Sequence, residues 1–246
     1  MSRNTIDKIK RFAYNKDEEK VFKIRCFATN KCEALKSRVR VLLLPTFFRE
    51  IHMSNLLLFS VSDRYINYLR NDSKLHNVYD NKDDRRTHTR KYLGAVFQKN
   101  GYDYFIPLSS PKDTDYLIDA FGNKKLRKSV IPIIRMVEID NKTGKIELKG
   151  TLRISNMIPV PQSELSYYDI NSETDLDYKN LVNKEYAFIK SNQDKILKNA
   201  EVCYNQKINK ENLYENGIYP KYLDNVVDFA YAEKCCQLFI DDNPTN

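Results

Sequence analysis

The stretch from Arg90 to Lys112 limits the fold of this 246-residue chain more tightly than any other. Two runs of aromatic and aliphatic residues flank Asn100-Gly101, the dipeptide that most readily supplies the two positive φ angles of a type I′ turn. The spacing predicts a two-residue β-hairpin. Its second strand runs straight into Ser109-Ser110-Pro111-Lys112. Two hydroxyls and an ammonium would then stand at the rim of a sheet, on backbone that Pro111 stiffens. Antiparallel pairing brings that exit beside the basic entry, Arg90 and Lys91.

The rest of the composition is that of a folded chain long enough to bury a full core: 41% hydrophobic, 30% charged and 6 Gly. No apolar run approaches the roughly 18 residues of a membrane-spanning helix, because Val39 to Phe48 is interrupted by Arg40 and Pro45. Five cysteines, Cys26, Cys32, Cys203, Cys235 and Cys236, form no disulfide framework and suit a reducing cytoplasm. The adjacent Cys235-Cys236 reads as core.

The net charge of +8 invites a polyanion partner, but its location weakens that inference. Residues 1–52 hold 13 of the 41 basic and 6 of the 33 acidic residues, which leaves residues 53–246 at a net of only +1. A polyanion site in the body must be a local patch. The segment 1–52 is expected to be a basic extension, without a clean helical face, preceding a single domain at 53–246. Arg49-Glu50-Ile51-His52-Met53 can be encoded as a ribosome-binding site followed by a start codon, so Met53 is expected to be the start.

From Met53 onward the pattern is orderly. Leu56 to Val61 is expected to form a buried strand, and Ser62 to cap a helix extending to Asn71 with Tyr65, Ile66 and Leu69 inward. A long polar loop to Thr89 follows, broken only by Leu75, Val78 and Tyr79, and it ends in the dense basic run Arg85-Arg86-Thr87-His88-Thr89-Arg90-Lys91. After Lys112 comes a polar connector through Lys124, Lys125, Arg127 and Lys128. Ser129 to Ile139 reads as an apolar strand with an edge or bulge at Pro132, paired with Lys145 to Ile154 across a turn at Asp140 to Gly144. Leu176 to Gln206 and Pro220 to Ile240 carry helical periodicity. Strands first and helices last predict an α+β fold with an antiparallel sheet.

Three blocks in this order, Phe59 to Leu69, Arg90 to Val96 and Tyr104 to Lys112, resemble the ToxN/AbiQ family of type III toxin-antitoxin endoribonucleases. Ile131 to Ile134 and Glu185 to Ile189 extend the resemblance, which covers roughly residues 53–205. It implies a compact β-barrel-like core with surrounding helices, similar to the Kid/MazF toxins. It also implies RNA cleavage without metal or cofactor, cellular or phage mRNA as substrate, and a role in phage defence by abortive infection or in plasmid maintenance. A small repeat RNA antitoxin would hold the toxin inactive, be processed by it, and assemble with it into a cyclic or helical complex. On this resemblance the catalytic segment is Ser109, Ser110 and Lys112, the basic residue before the first hairpin strand is Arg90 with Lys91 beside it, and the helix tyrosine is Tyr65. Some members carry a tyrosine in the loop before that basic residue, where this chain has Arg86 and His88.

Metal-free cleavage uses the ribose 2′-hydroxyl as nucleophile and leaves a 2′,3′-cyclic phosphate and a 5′-hydroxyl. Lys112 and Arg90 have the charge to stabilise the phosphorane, Ser109 and Ser110 can hold its non-bridging oxygens, and His88 or Tyr65 could transfer protons. Arg85, Arg86, Lys91, Lys124, Lys125, Arg127 and Lys128 are expected to bind RNA phosphates. Other chemistries fit poorly. His52, His76 and His88 show no ligand spacing with cysteine, and no glycine loop suits a nucleotide phosphate. Arg70 to His76 matches the R-x5-H pattern of HEPN ribonucleases but runs from a helix end into a loop. The alternative reading is a non-catalytic RNA-binding regulator with a basic N-terminal arm.

Overall fold

The computed structural model describes residues 56–82 and 87–244. The extension 1–52, the proposed start at Met53, and Arg85 and Arg86 lie outside the described residues. Strand β1 (Leu57–Val61) leads into helix α1 (Asp63–Arg70), whose N-terminus is capped by the Ser62 side chain accepting from the Tyr65 N–H. That cap satisfies one of the donors a helix start leaves unpaired, which is why the chain turns at Ser62. Tyr65, Ile66 and Leu69 are buried, as their spacing predicts.

The hairpin forms as read. Strands β2 (Lys91–Lys99) and β3 (Tyr102–Ser109) pair through Lys99 and Tyr102, and the turn residues Asn100 and Gly101 take φ of 52° and 89°. A register shift between Leu93 and Phe97 bends the pair at Gly94. There the Phe105 ring lies so close that a Cβ would meet its Cδ1 at 2.1 Å, so only glycine fits.

Three features depart from expectation in the middle of the chain. The connector after Lys112 folds into a second hairpin, β4 (Tyr116–Ile118) and β5 (Lys124–Leu126). Strand β6 (Ile133–Ile139) starts only after Pro132, whose carbonyl accepts from Ser155 N–H, and the bulge falls at Met136/Val137 instead. The proline lacks the N–H a ladder position needs, so the strand begins behind it. Strand β7 (Ile146–Arg153) is the expected partner; β8 (Ile158–Pro159) and β9 (Leu165–Tyr167) complete the sheet.

The strands pair antiparallel in the order β6-β7-β3-β2-β1-β9, with β8 also on β3. The α+β expectation holds at this level. The expected barrel does not close among the described residues, because β6 and β9 end the path without pairing to each other.

The helical third is also divided more finely than its periodicity suggested. Helix α2 (Leu176–Ser191) and helix α3 (Gln193–Ile208) break at Asn192, and a short α4 (Lys210–Glu215) follows. Helix α5 (Phe229–Asp242) starts at its cap Asp228 rather than at Pro220, leaving Leu223, Val226 and Val227 buried on irregular backbone. Cys203, Cys235 and Cys236 are free and buried in this core. No helix among the described residues is long and apolar enough to cross a membrane.

Candidate functional site

The register of the first hairpin, continued past Tyr92↔Pro107, sets Arg90 opposite Ser109. Arg90 does not point into solvent. It is 5% exposed; its backbone N–H donates to Asn81 O, Nε donates to Asp80 O at 2.8 Å, and Nη1 to Leu108 O at 2.7 Å. The expected phosphate ligand is therefore built into the structure, tying the long loop to the end of β3. The same loop is pinned elsewhere: Asn81 Nδ2 donates to Val61 O, Tyr92 Oη donates to Asn81 Oδ1, and Arg70 donates to Val78 O. Arg70 and His76, the R-x5-H pair, serve this loop, His76 Nδ1 lying 3.1 Å from Ser73 O.

The loop delivers a residue that sequence reasoning passed over. Tyr79 sits between two cations, with the Arg90 guanidinium 4.7 Å and the Lys112 ammonium 5.3 Å from its ring centre. Such contacts hold a cation in place without neutralising it. The clue was available: Leu75, Val78 and Tyr79 were the non-polar residues of an otherwise polar loop, and Leu75 and Val78 are buried.

Ser109 is buried at the end of β3, its carbonyl accepting from Thr151 Oγ1 at 3.2 Å, while Ser110 and Lys112 are exposed. The turn beyond them is held from beneath. Asp115 accepts from the Lys112 backbone N–H at 3.0 Å and pairs with Arg135 at 3.0 Å and Arg153 at 3.4 Å, all three side chains being buried. Arg153 Nε in turn donates to Thr151 Oγ1. Two strands, β6 and β7, thus fix the geometry of Ser109 to Lys112 through one carboxylate, an arrangement no local sequence pattern encodes.

Lys91 goes the other way, as adjacent strand residues do. Its ammonium donates to Ser60 Oγ at 3.1 Å and lies 4.2 Å from the Tyr168 ring centre; burial lowers its pKa below the ordinary lysine value. Tyr168 donates to Glu173, and that hydroxyl is the main reason the Glu173 carboxyl lies below its usual range. His88 stacks flat on Tyr178 at 3.8 Å and contacts Asp175 Oδ2 at 3.1 Å. Asp175 is the cap of α2, held acidic first by the Tyr178 N–H and then by His88. His88 therefore belongs with Lys91 and the start of α2 rather than with Lys112.

Tyr65 is set apart altogether. It is fully buried against Phe239, its hydroxyl donates to Pro159 O at 2.7 Å, and desolvation raises its pKa well above that of a free phenol. Tyr65, expected as the helix tyrosine of the site, is therefore packed into the core rather than presented at the surface beside Lys112. Lys124, Lys125, Arg127 and Lys128 lie exposed on the second hairpin, Lys124 reaching Asp113 at 3.1 Å.

The family described as Toxin ToxN, type III toxin-antitoxin system, matches residues 57–237. Endoribonuclease ToxN of Bacillus thuringiensis subsp. kurstaki is 36% identical over 148 residues, covering 59% of this chain and 65% of that protein. Endoribonuclease AbiQ of Lactococcus lactis subsp. lactis is 33% identical over 194 residues, 78% of this chain and 94% of that protein. A solved structure concerned with selective toxin inhibition by a non-coding RNA pseudoknot superposes with a TM-score of 0.57 at 30% identity, covering 75% of this chain and 98% of the other. The family match takes in β1, both hairpins, the buried Asp115 cluster and the packed helices, which is most of the chain. By that extent and those identities, this chain belongs to the ToxN family of type III toxin-antitoxin toxins.

Proposed function

We propose that the chain is a metal-independent endoribonuclease toxin whose active rim is Ser109, Ser110, Lys112 and Tyr79. The observation that carries this reading is exposed Lys112, whose ammonium lies over the Tyr79 ring and whose backbone N–H is held by buried Asp115, two residues after the exposed Ser110. Its family membership and the names of the relatives it matches make RNA cleavage the reaction to explain.

The 2′-hydroxyl of one nucleotide attacks the neighbouring phosphorus and gives up its proton, the bond from phosphorus to the 5′-oxygen breaks, and the departing 5′-oxygen takes up a proton, so that the step is proton-neutral overall. A cation fixed where the phosphorane gains charge stabilises the transition state more than the substrate. Lys112 takes that role and Ser110 donates to a non-bridging oxygen. Arg90 acts one step back, fixing Tyr79 and the end of β3. Tyr79 replaces Tyr65 as the tyrosine of the site. Lys91 and His88 form a second group at the start of α2, suited to RNA phosphate contacts along with Lys124 to Lys128.

In this reading the substrate is mRNA, and a repeat RNA antitoxin, processed by the toxin and joined with it in a cyclic or helical assembly, blocks the rim. The related structure of a toxin inhibited by an RNA pseudoknot supports an RNA antitoxin here. The family match beginning at residue 57 supports taking residues 53–246 as the toxin domain, with 1–52 as an extension outside it. The test is growth arrest on expression without antitoxin. Lys112→Ala and Ser110→Ala should each restore colony formation at unchanged protein level; full arrest by both variants would discard this rim.

A further inference from the structure

The second hairpin carries an exposed aromatic that the catalytic reading does not use. Phe121 at its tip is 91% exposed, with Ile118 and Leu117 beside it also exposed. The tip is ordered by its own bonds: the Asp119 carboxylate accepts from the backbone N–H of Phe121 and of Asn123, each at 2.9 Å, and from Asn123 Nδ2 at 3.0 Å. Gly122 takes φ +82°, which lets the chain turn back. The ring is therefore presented on a stiff support rather than on a loose loop.

The root of the hairpin is joined to the proposed rim. Arg127 N–H donates to Asp115 O at 2.9 Å, Arg127 Nε to Tyr116 O, and Lys124 reaches Asp113, the residue after Lys112. The arm leaves the chain at Asp113, so it offers a strand lying across Lys112 a surface on one side. The arm's exposed charge is mostly positive: Lys124 and Lys125 lie across the hairpin from Ile118 and Leu117, and Arg127 and Lys128 follow them, against Asp119 at the tip. Protein-binding patches are depleted of lysine at their centres, whereas aromatic rings set among cations are the usual platform for unpaired bases.

We infer that Phe121 is a base-stacking platform for the single-stranded RNA that crosses the Lys112 rim, with Lys124, Lys125, Arg127 and Lys128 holding the phosphates on either side. The inference rests on the endoribonuclease reading and extends it from the point of cleavage to the neighbouring nucleotides. Stacking contributes regardless of base identity, so Phe121 adds affinity and orientation more than sequence preference.

The chain has no tryptophan, so Phe121→Trp provides a single reporter. The probe is a mixed-sequence RNA of ~12 nucleotides, within the range such platforms span, with 2′-O-methyl groups so that it cannot be cut. Tryptophan emission should be quenched on titration, with the same midpoint as the anisotropy of labelled RNA. Phe121→Ala should weaken binding at least about fivefold, while Phe121→Tyr should bind like the parent. The same sequence as a duplex should give little quenching. Affinity of Phe121→Ala within twofold of the parent, or equal quenching by duplex, overturns the inference while RNA binding itself stands. Loss of a self-associated species in Phe121→Ala, at unchanged RNA affinity, reassigns the patch to a second copy of the chain and equally overturns it. If the parent protein neither binds nor cuts RNA, the endoribonuclease reading falls and this inference falls with it.

Discussion

Asp115 shows how much depends on a single side chain. Its carboxylate is 1% exposed and faces two arginines that are nearly as buried. Taking three charges out of water is costly, and their attraction repays that cost only while all three remain. Asp115→Asn keeps the shape and leaves two buried guanidiniums facing a neutral amide. We expect a loss of about 3–5 kcal/mol in denaturant unfolding, together with loss of RNA cleavage. By contrast, Asp113→Ala removes an exposed partner of Lys124 and should change stability by less than about 1 kcal/mol. Equal effects from the two substitutions would refute the buttress. Asp115 could not be singled out from its neighbours in the sequence, because its partners lie 20 and 38 residues away on a strand pair whose approach to the turn after Lys112 no local pattern announces. Tyr65 shows the converse. Its helical position was legible, yet the same periodicity that placed it on the helix also placed it in the core.

At the level of elements, local chemistry was readable and long-range pairing was not. Asn100-Gly101, the Ser62 cap and the Asp140 to Gly144 turn each combine a residue preference with a specific backbone need, and each was found where expected. The second hairpin was missed because its strands are three residues long and its tip is held by side-chain bonds to Asp119 rather than by an apolar pattern. The break at Asn192 was hidden because periodicity continues through it. The entry to strand β2 serves two ends, with Arg90 just before it reaching Tyr79 and Lys91 at its start reaching Tyr168.

Lys91 also makes strand β2 testable by pH. Burial depresses its native pKa below the unfolded value, so the charged form costs stability at every pH below the native pKa. That cost fades as the pH rises from the native pKa toward 10.5. Lys91→Met should therefore raise the urea midpoint at pH 7, with the gain shrinking as the pH approaches 10.5, and should weaken RNA binding. A gain that does not vary with pH would show that packing, not charge burial, is responsible.

For the whole molecule, the net charge says little about the body, because residues 1–52 hold most of the +8. Exposed cations of the body are spread over its helices and turns, and five of them, Lys112, Lys124, Lys125, Arg127 and Lys128, fall close together in the sequence around the second hairpin. Strand β3 pairs with β2 along its length and with β7 at its end, so the turn after Ser109 emerges where the Asp115 cluster and the Tyr79 loop meet. The α+β class followed from element order, but whether the sheet closed could not, since closure depends on which edge strands meet.

We propose that this rim cuts RNA by 2′-hydroxyl attack without metal. The most direct measurement is incubation of the purified protein with mixed RNA in excess EDTA, followed by analysis of the fragment ends. Discrete fragments with 2′,3′-cyclic phosphate and 5′-hydroxyl ends are expected, absent with Lys112→Ala. Cleavage abolished by EDTA, 5′-phosphate ends, or RNA that is shifted but left intact would contradict it.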